Sequence, residues 1–186
     1  MKFDFLINKL ISRNIIKPEE ADIYVYGLEY SFLYLINILL SAFLSIMIHG
    51  TILYIFVLLT FIPLRRFAGG FHFNNPLVCM FFSQLCILIP QIIIPHITEY
   101  QKELIFLFII AFPLLFFITI KKRAVSSKKK YIDEFLIKRY TRKALIIEII
   151  YSLLFIGFII FKQTVFAAVI LYIVIIQFFL ILIPEK

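Results

Sequence analysis

The sequence predicts an all-α, polytopic integral membrane protein with about six transmembrane helices, preceded by an amphipathic N-terminal helix. Three observations carry that prediction. Of 186 residues, 63% are hydrophobic and 23 are Phe, and the mean hydropathy is +1.03, outside the range of water-soluble domains. The apolar residues fall in long runs, several of them close to the roughly 20 residues that cross a bilayer. The 19 Lys and Arg residues gather between those runs rather than within them. Such a chain satisfies its backbone inside helices and packs those helices in lipid, so a single membrane-embedded domain over 1–186 is expected.

Residues 1–17 mix Lys2, Lys9, Arg13 and Lys17 with Phe3, Phe5, Leu6, Leu10, Ile11, Ile15 and Ile16. The segment lacks the unbroken apolar centre and small-residue cleavage site of a signal peptide. It reads as an amphipathic helix lying on the inner leaflet. Pro18-Glu19-Glu20 opens the first span, since proline suits the first helical position and acidic residues suit the positive end of the helix dipole. The apolar body then runs from about Tyr24 to Ile48. After a turn at His49-Gly50, Thr51 to Leu64 gives only fourteen apolar residues, which is short for a span. Either this second helix begins earlier or the loop that follows dips into the bilayer. Further spans are expected from Pro76 to about Pro95, Glu103 to Ile120, Ala144 to Phe161 and Thr164 to Ile183, with Pro90 as a kink.

Charge sets the orientation. With the N-terminus cytoplasmic, six spans place seventeen of the nineteen basic residues on the inner side and leave Lys102 and Lys162 outside, as the positive-inside rule favours. The protein is therefore expected in a cell membrane, multi-pass, with its N-terminus and the polar segment 65–79 facing the cytoplasm.

That segment, Arg65-Arg66-Phe67-Ala68-Gly69-Gly70-Phe71-His72-Phe73-Asn74-Asn75-Pro76-Leu77-Val78-Cys79, holds the only His and Cys that are close in sequence. One continuous helix would separate His72 from Cys79 by about 10 Å along its axis, too far for direct proton transfer. Pro76 argues against such a helix, because its ring would press on the carbonyl of His72. Asn75 as N-cap and Pro76 as first helical residue instead put Cys79 in the first turn of the next helix, and Gly69-Gly70 let the loop turn back. A thiol at a helix N-terminus beside an imidazole is favoured as the attacking thiolate. Amides of the same turn, those of Leu77, Val78 and Cys79, can hold an oxyanion. The candidate catalytic pair is Cys79 as nucleophile and His72 as base. The plainer alternative is a loop histidine and a buried membrane cysteine.

The order Arg65-Arg66-x-Ala68-x-Gly70-x-His72-x6-Cys79 resembles that of the accessory gene regulator B (AgrB) family. Members are integral-membrane cysteine endopeptidases that process a quorum-sensing propeptide. The resemblance implies cleavage of an autoinducing-peptide precursor through an acyl-enzyme thioester. Attack by a cysteine or serine side chain of the precursor would then close a thiolactone or lactone. It also implies an acidic precursor tail that docks on the basic segment 121–143, which includes Lys128, Lys129 and Lys130. Prolines often flank the lysines of the family's basic loop, and Lys121 to Lys130 contains none.

Each remaining feature has two readings. The basic segment either meets anionic lipid headgroups or attracts acidic peptide. Arg65 and Arg66 either anchor their span at the headgroups or clamp a substrate carboxylate or backbone, and Gly70 belongs with them at the substrate side of the loop. Glu29 and Glu148 are expected near span ends, reaching the interface. Cys86, two turns beyond Cys79, reads as a buried small side chain. No paired cysteine pattern points to a metal, and neither cofactor nor nucleic acid is expected. Partners are the bilayer, the precursor and, from the uniform apolar faces, a second copy in a homodimer. The rival function is a non-enzymatic peptide exporter or scaffold subunit, although an exporter would be expected to show polar residues deep in several spans.

Overall fold

A computed structural model describes residues 4–13, 15–71, 75–97, 99–122 and 134–183. The described chain contains no strand. It forms α1 (Asp4–Ser12), a 3-10 turn (Pro18–Glu20), α2 (Ala21–Met47), α3 (Thr51–Ala68), α4 (Pro76–Ile97), α5 (Gln101–Lys122), α6 (Glu134–Ile160) and α7 (Thr164–Leu182). Helices α2 to α7 are each long and apolar enough to cross a membrane, so this is a multi-pass membrane protein. The turn before α2 is closed at both ends: Glu20 N–H donates to Lys17 O, and Lys17 N–H donates to the Glu20 carboxylate.

The fourteen-residue apolar run is lengthened at its far end. Helix α3 starts at Thr51, as the His49-Gly50 turn requires, but continues through Arg65-Arg66 to Ala68. Its eighteen residues reach about 27 Å, near the thickness of the hydrocarbon core. Arginines in the last turn also lie at the negative end of the helix dipole. A second boundary moves in the same sense. Helix α6 begins at Glu134 rather than Ala144, so Lys138, Arg139, Arg142 and Lys143 lie on a helix that continues beyond the apolar run. An i,i+4 pair between Glu134 and Lys138 supports its first turn.

Helix α7 is the hub. Half of its apolar window lies inside the protein, the largest share of the six spans, and it packs against α3, α4, α5 and α6. Small residues Ala167 and Ala168, fully enclosed, let neighbouring helices approach closely. Aromatic rings fill the space around them: Phe108 on α5 stacks on Phe155 of α6 with centroids 3.8 Å apart, and Phe56, Phe158 and Phe166 form a cluster of edge and tilted contacts. Side chains such as Ile52, Phe106 and Leu153 point outward, where lipid tails cover them without penalty.

Polar groups inside the bundle join helices. The hydroxyls of Ser41 (α2) and Tyr54 (α3) lie 3.1 Å apart, and Tyr54 also donates to Ile38 O. Tyr151 on α6 donates to Thr60 O on α3, and Tyr172 on α7 donates to Cys86 O on α4. Glu148 departs from expectation. It is fully buried in mid-α6, and Thr119 Oγ1 on α5 donates to its Oε1 at 2.7 Å. A carboxyl facing inward among helices is sheltered from hydrocarbon by protein, which is how membrane segments tolerate such a group. Glu29 is exposed.

Candidate functional site

Helix α3 runs into a glycine pair that reverses the chain. Gly69 N–H donates to Arg65 O, and Gly69 adopts φ +71° with ψ −142°, a backbone conformation open to glycine because it has no Cβ. Gly70 has φ +113°, and there is no room for a side chain. A Cβ on Gly70 would fall 2.5 Å from Arg65 Nη1 and 3.0 Å from Leu180 O. Both glycines are thus required by the path of the loop and not merely tolerated.

The loop is fastened from two sides. From its own helix, Arg65 Nη1 donates to Gly69 O at 2.9 Å, and Nη2 donates to Phe71 O. From the hub helix, Gln177 Nε2 donates to Gly69 O at 2.8 Å, and Leu180 O accepts Phe71 N–H at 2.8 Å. The guanidinium fork suits this task, since two of its donors can meet two carbonyls at once. Arg65 is half-buried, whereas Arg66 is exposed, its guanidinium 5.8 Å from the Phe67 ring centroid. Phe67 also meets Tyr140 and lies 5.0 Å from Lys143 Nζ. The end of α3, the start of α6 and the end of α7 therefore lie at one end of the bundle.

Beyond the loop, Asn75 caps α4. Its Oδ1 accepts Leu77 N–H at 2.9 Å, and its backbone oxygen accepts Cys79 N–H at 3.1 Å. Pro76 is the first helical residue, where its missing donor costs nothing. Cys79 sits in the first turn, half-buried, with a free thiol. The expected trio of open amides contracts, because the cap takes Leu77 N–H and the first helical bond takes Cys79 N–H. Among the described residues, no acceptor meets Val78 N–H. Leu77 and Val78 side chains are exposed.

His72 lies outside the described residues, as do Lys128, Lys129 and Lys130. The chain on either side of His72 is placed: Phe71 is tied to α7, and Asn75 caps α4. Cys86 is buried on α4. Sequence reasoning missed Gln177 altogether. The signal was present, since α7 contains one amide in an otherwise almost unbroken apolar run, and such a residue in a span needs a partner.

These elements define a multi-pass membrane protein with a free thiol at the mouth of a helix, beside a loop held down by the hub of the bundle. Residues 4–181 match the family of accessory gene regulator B, AgrB. With that match over nearly its whole length, the chain belongs to the AgrB family and has a role in the accessory gene regulator quorum-sensing system. Neither a curated protein nor a solved structure matches it.

Proposed function

We propose that the protein is a membrane cysteine endopeptidase that cleaves the precursor of an autoinducing peptide, with Cys79 as nucleophile and His72 as general base. The observation that carries this reading is the seat of Cys79: a free, half-buried thiol in the first turn of an Asn-capped helix. The N-terminal end of a helix favours negative charge on such a thiol. The six family-like positions Arg65, Arg66, Ala68, Gly70, His72 and Cys79 lie in the segment that forms this seat.

In the proposed reaction, the imidazole of His72 takes the Cys79 proton and the sulfur attacks the scissile carbonyl. The resulting oxyanion is met by Val78 N–H, with Leu77 N–H able to join it by exchange from its cap. Collapse breaks the C–N bond, and His72 returns its proton to the departing amine. A thioester on Cys79 remains. A cysteine or serine side chain of the precursor then attacks that thioester, releasing a thiolactone or lactone joined to its leader and restoring the thiol. Exchange from the Cys79 thioester conserves the activated acyl group, so ring closure itself consumes no nucleotide. A half-buried site slows competing hydrolysis.

The sidedness of charge orients the protein with this mouth toward the cytoplasm, where an unsecreted precursor is found. Lys128, Lys129 and Lys130 lie in the most basic stretch of the chain and attract the acidic tail of the precursor. Arg66, exposed beside the loop, offers a contact to the peptide. The unit works as one domain in the membrane, and two copies can associate through their lipid-facing surfaces.

The reading is tested with purified protein in liposomes and its precursor peptide. Rapid quenching is expected to trap a covalent peptide on Cys79 that hydroxylamine releases, as thioesters require. Cleavage without any adduct on Cys79 would overturn the assignment.

A further inference from the structure

Gln177 is out of place by composition. Helix α7 is the most apolar of the six spans, and Gln177 stands three residues before Leu180, near the end of the helix that meets the loop. Its side chain has no exposure at all. An amide enclosed in a bundle core leaves two donors and an acceptor to be satisfied. Only a specific partner compensates for taking it out of water. That partner is Gly69 O, and Gln177 Oε1 has no partner among the described residues. A residue selected for helix packing alone would not carry this burden in a position that Leu or Met fills.

Further contacts converge on the same three residues of loop. Arg65 reaches Gly69 O and Phe71 O. Leu180 O takes Phe71 N–H. Gly70 is pressed so closely between Arg65 and Leu180 that a methyl group would collide with both. Gly69 O therefore receives two donors from opposite sides, one from α3 and one from α7. Phe71 immediately precedes His72 in sequence, so whatever fixes Gly69 and Phe71 fixes the point from which the chain carries His72 toward α4.

We propose that Gln177 is a positioning residue for the peptidase reaction: from the hub helix, it holds the 69–71 loop in the register that brings the base to the Cys79 thiol. The inference rests on the peptidase reading above. It assigns α7 a part in the reaction though the helix contributes no group to the chemistry. Because a displacement of about 1 Å in a reacting group can lower turnover about a hundredfold, one lost loop contact suffices for a large effect.

The test uses Gln177→Met in liposomes, a change that keeps length and apolar packing but removes the donor. Turnover of the precursor is expected to fall roughly 10- to 100-fold with KM changed less than about threefold. Alkylation of Cys79 by a membrane-permeant maleimide at neutral pH is expected to slow in parallel, while Cys86 stays protected. Cys86, buried beneath Tyr172, reports general loosening of the bundle in the same molecule, and faster Cys86 labelling as the sole change would assign Gln177 to packing and overturn the proposal. Gly70→Ala attacks the same seat from the loop side, pressing a methyl group against Arg65 and Leu180 while leaving Gln177 in place, and it is expected to reproduce the loss. Gln91→Met, which removes a buried amide bonded within its own helix, is expected to leave both readouts near wild type. If Gln177→Met and Gly70→Ala keep wild-type turnover and Cys79 labelling while wild-type Cys79 forms its adduct, the positioning role fails and the peptidase reading stands. If wild-type Cys79 forms no adduct, both fail together.

Discussion

Cys79→Ala is expected to lower precursor cleavage by at least about 10⁴-fold with the protein still folded in the membrane. Removing a covalent nucleophile eliminates the acyl-enzyme route, and losses of that order or larger are usual when the member of a catalytic unit that forms the bond is deleted. Binding of the precursor should change little, because the sulfur contributes reaction chemistry rather than recognition. The bundle should tolerate the change, since Cys79 is half-buried and makes no side-chain bond among the described residues. Its backbone N–H still bonds to Asn75 O. Turnover by purified Cys79→Ala protein above about a hundredth of wild type, measured by mass spectrometry of the products, contradicts the nucleophile assignment. A peptide exporter or scaffold would be indifferent to this substitution.

The second large effect is expected at Arg65. Arg65→Lys keeps the charge but replaces a planar fork with a single ammonium that cannot span Gly69 O and Phe71 O in the same geometry. Gly69 O would keep Gln177 as a donor, but the two-point hold on Gly69 O and Phe71 O would be lost, and the loop would shift. Turnover is expected to fall about a hundredfold, with helix content unchanged by circular dichroism. Arg66→Lys supplies the comparison. Arg66 is exposed beside Phe67, so its replacement should act on KM for the precursor, by less than about tenfold. Equal effects of the two substitutions would remove the distinction drawn between loop support and substrate contact.

Much of this arrangement can be read from the chain. The six apolar runs announce the spans, and Asn75-Pro76 announces the start of α4 through backbone chemistry that depends on local residues alone. That is why the cap, and with it the position of Cys79 in the first turn, follows from sequence. The misplaced boundaries have a common cause. Hydropathy marks where a helix meets lipid, whereas α3 and α6 continue into charged residues that remain helical: Arg65 and Arg66 close the final turn of α3, and Glu134 to Lys143 form nearly three turns of α6 outside the apolar run. Glu148 was misread because its position relative to a span end says nothing of the face it occupies, and Thr119, its donor, lies 29 residues away. Gln177 is 108 residues from the glycine whose carbonyl it holds. No local pattern encodes such a contact, although an isolated amide in a wholly apolar helix is itself a reason to look for one.

The structural and chemical accounts meet at the thiol. The loop is fastened by Arg65, Gln177 and Leu180, the helix that follows is capped by Asn75, and Cys79 lies just within that helix. What this assembly is proposed to accomplish is proton transfer between His72 and Cys79. The rate at which Cys79 reacts with a membrane-permeant maleimide at neutral pH, read against Cys86 in the same molecule, tests that pairing without needing a substrate. Wild-type Cys79 is predicted to react at least about tenfold faster than Cys86, and His72→Ala is predicted to remove most of that advantage. An unchanged Cys79 rate in His72→Ala would contradict the pairing at its root.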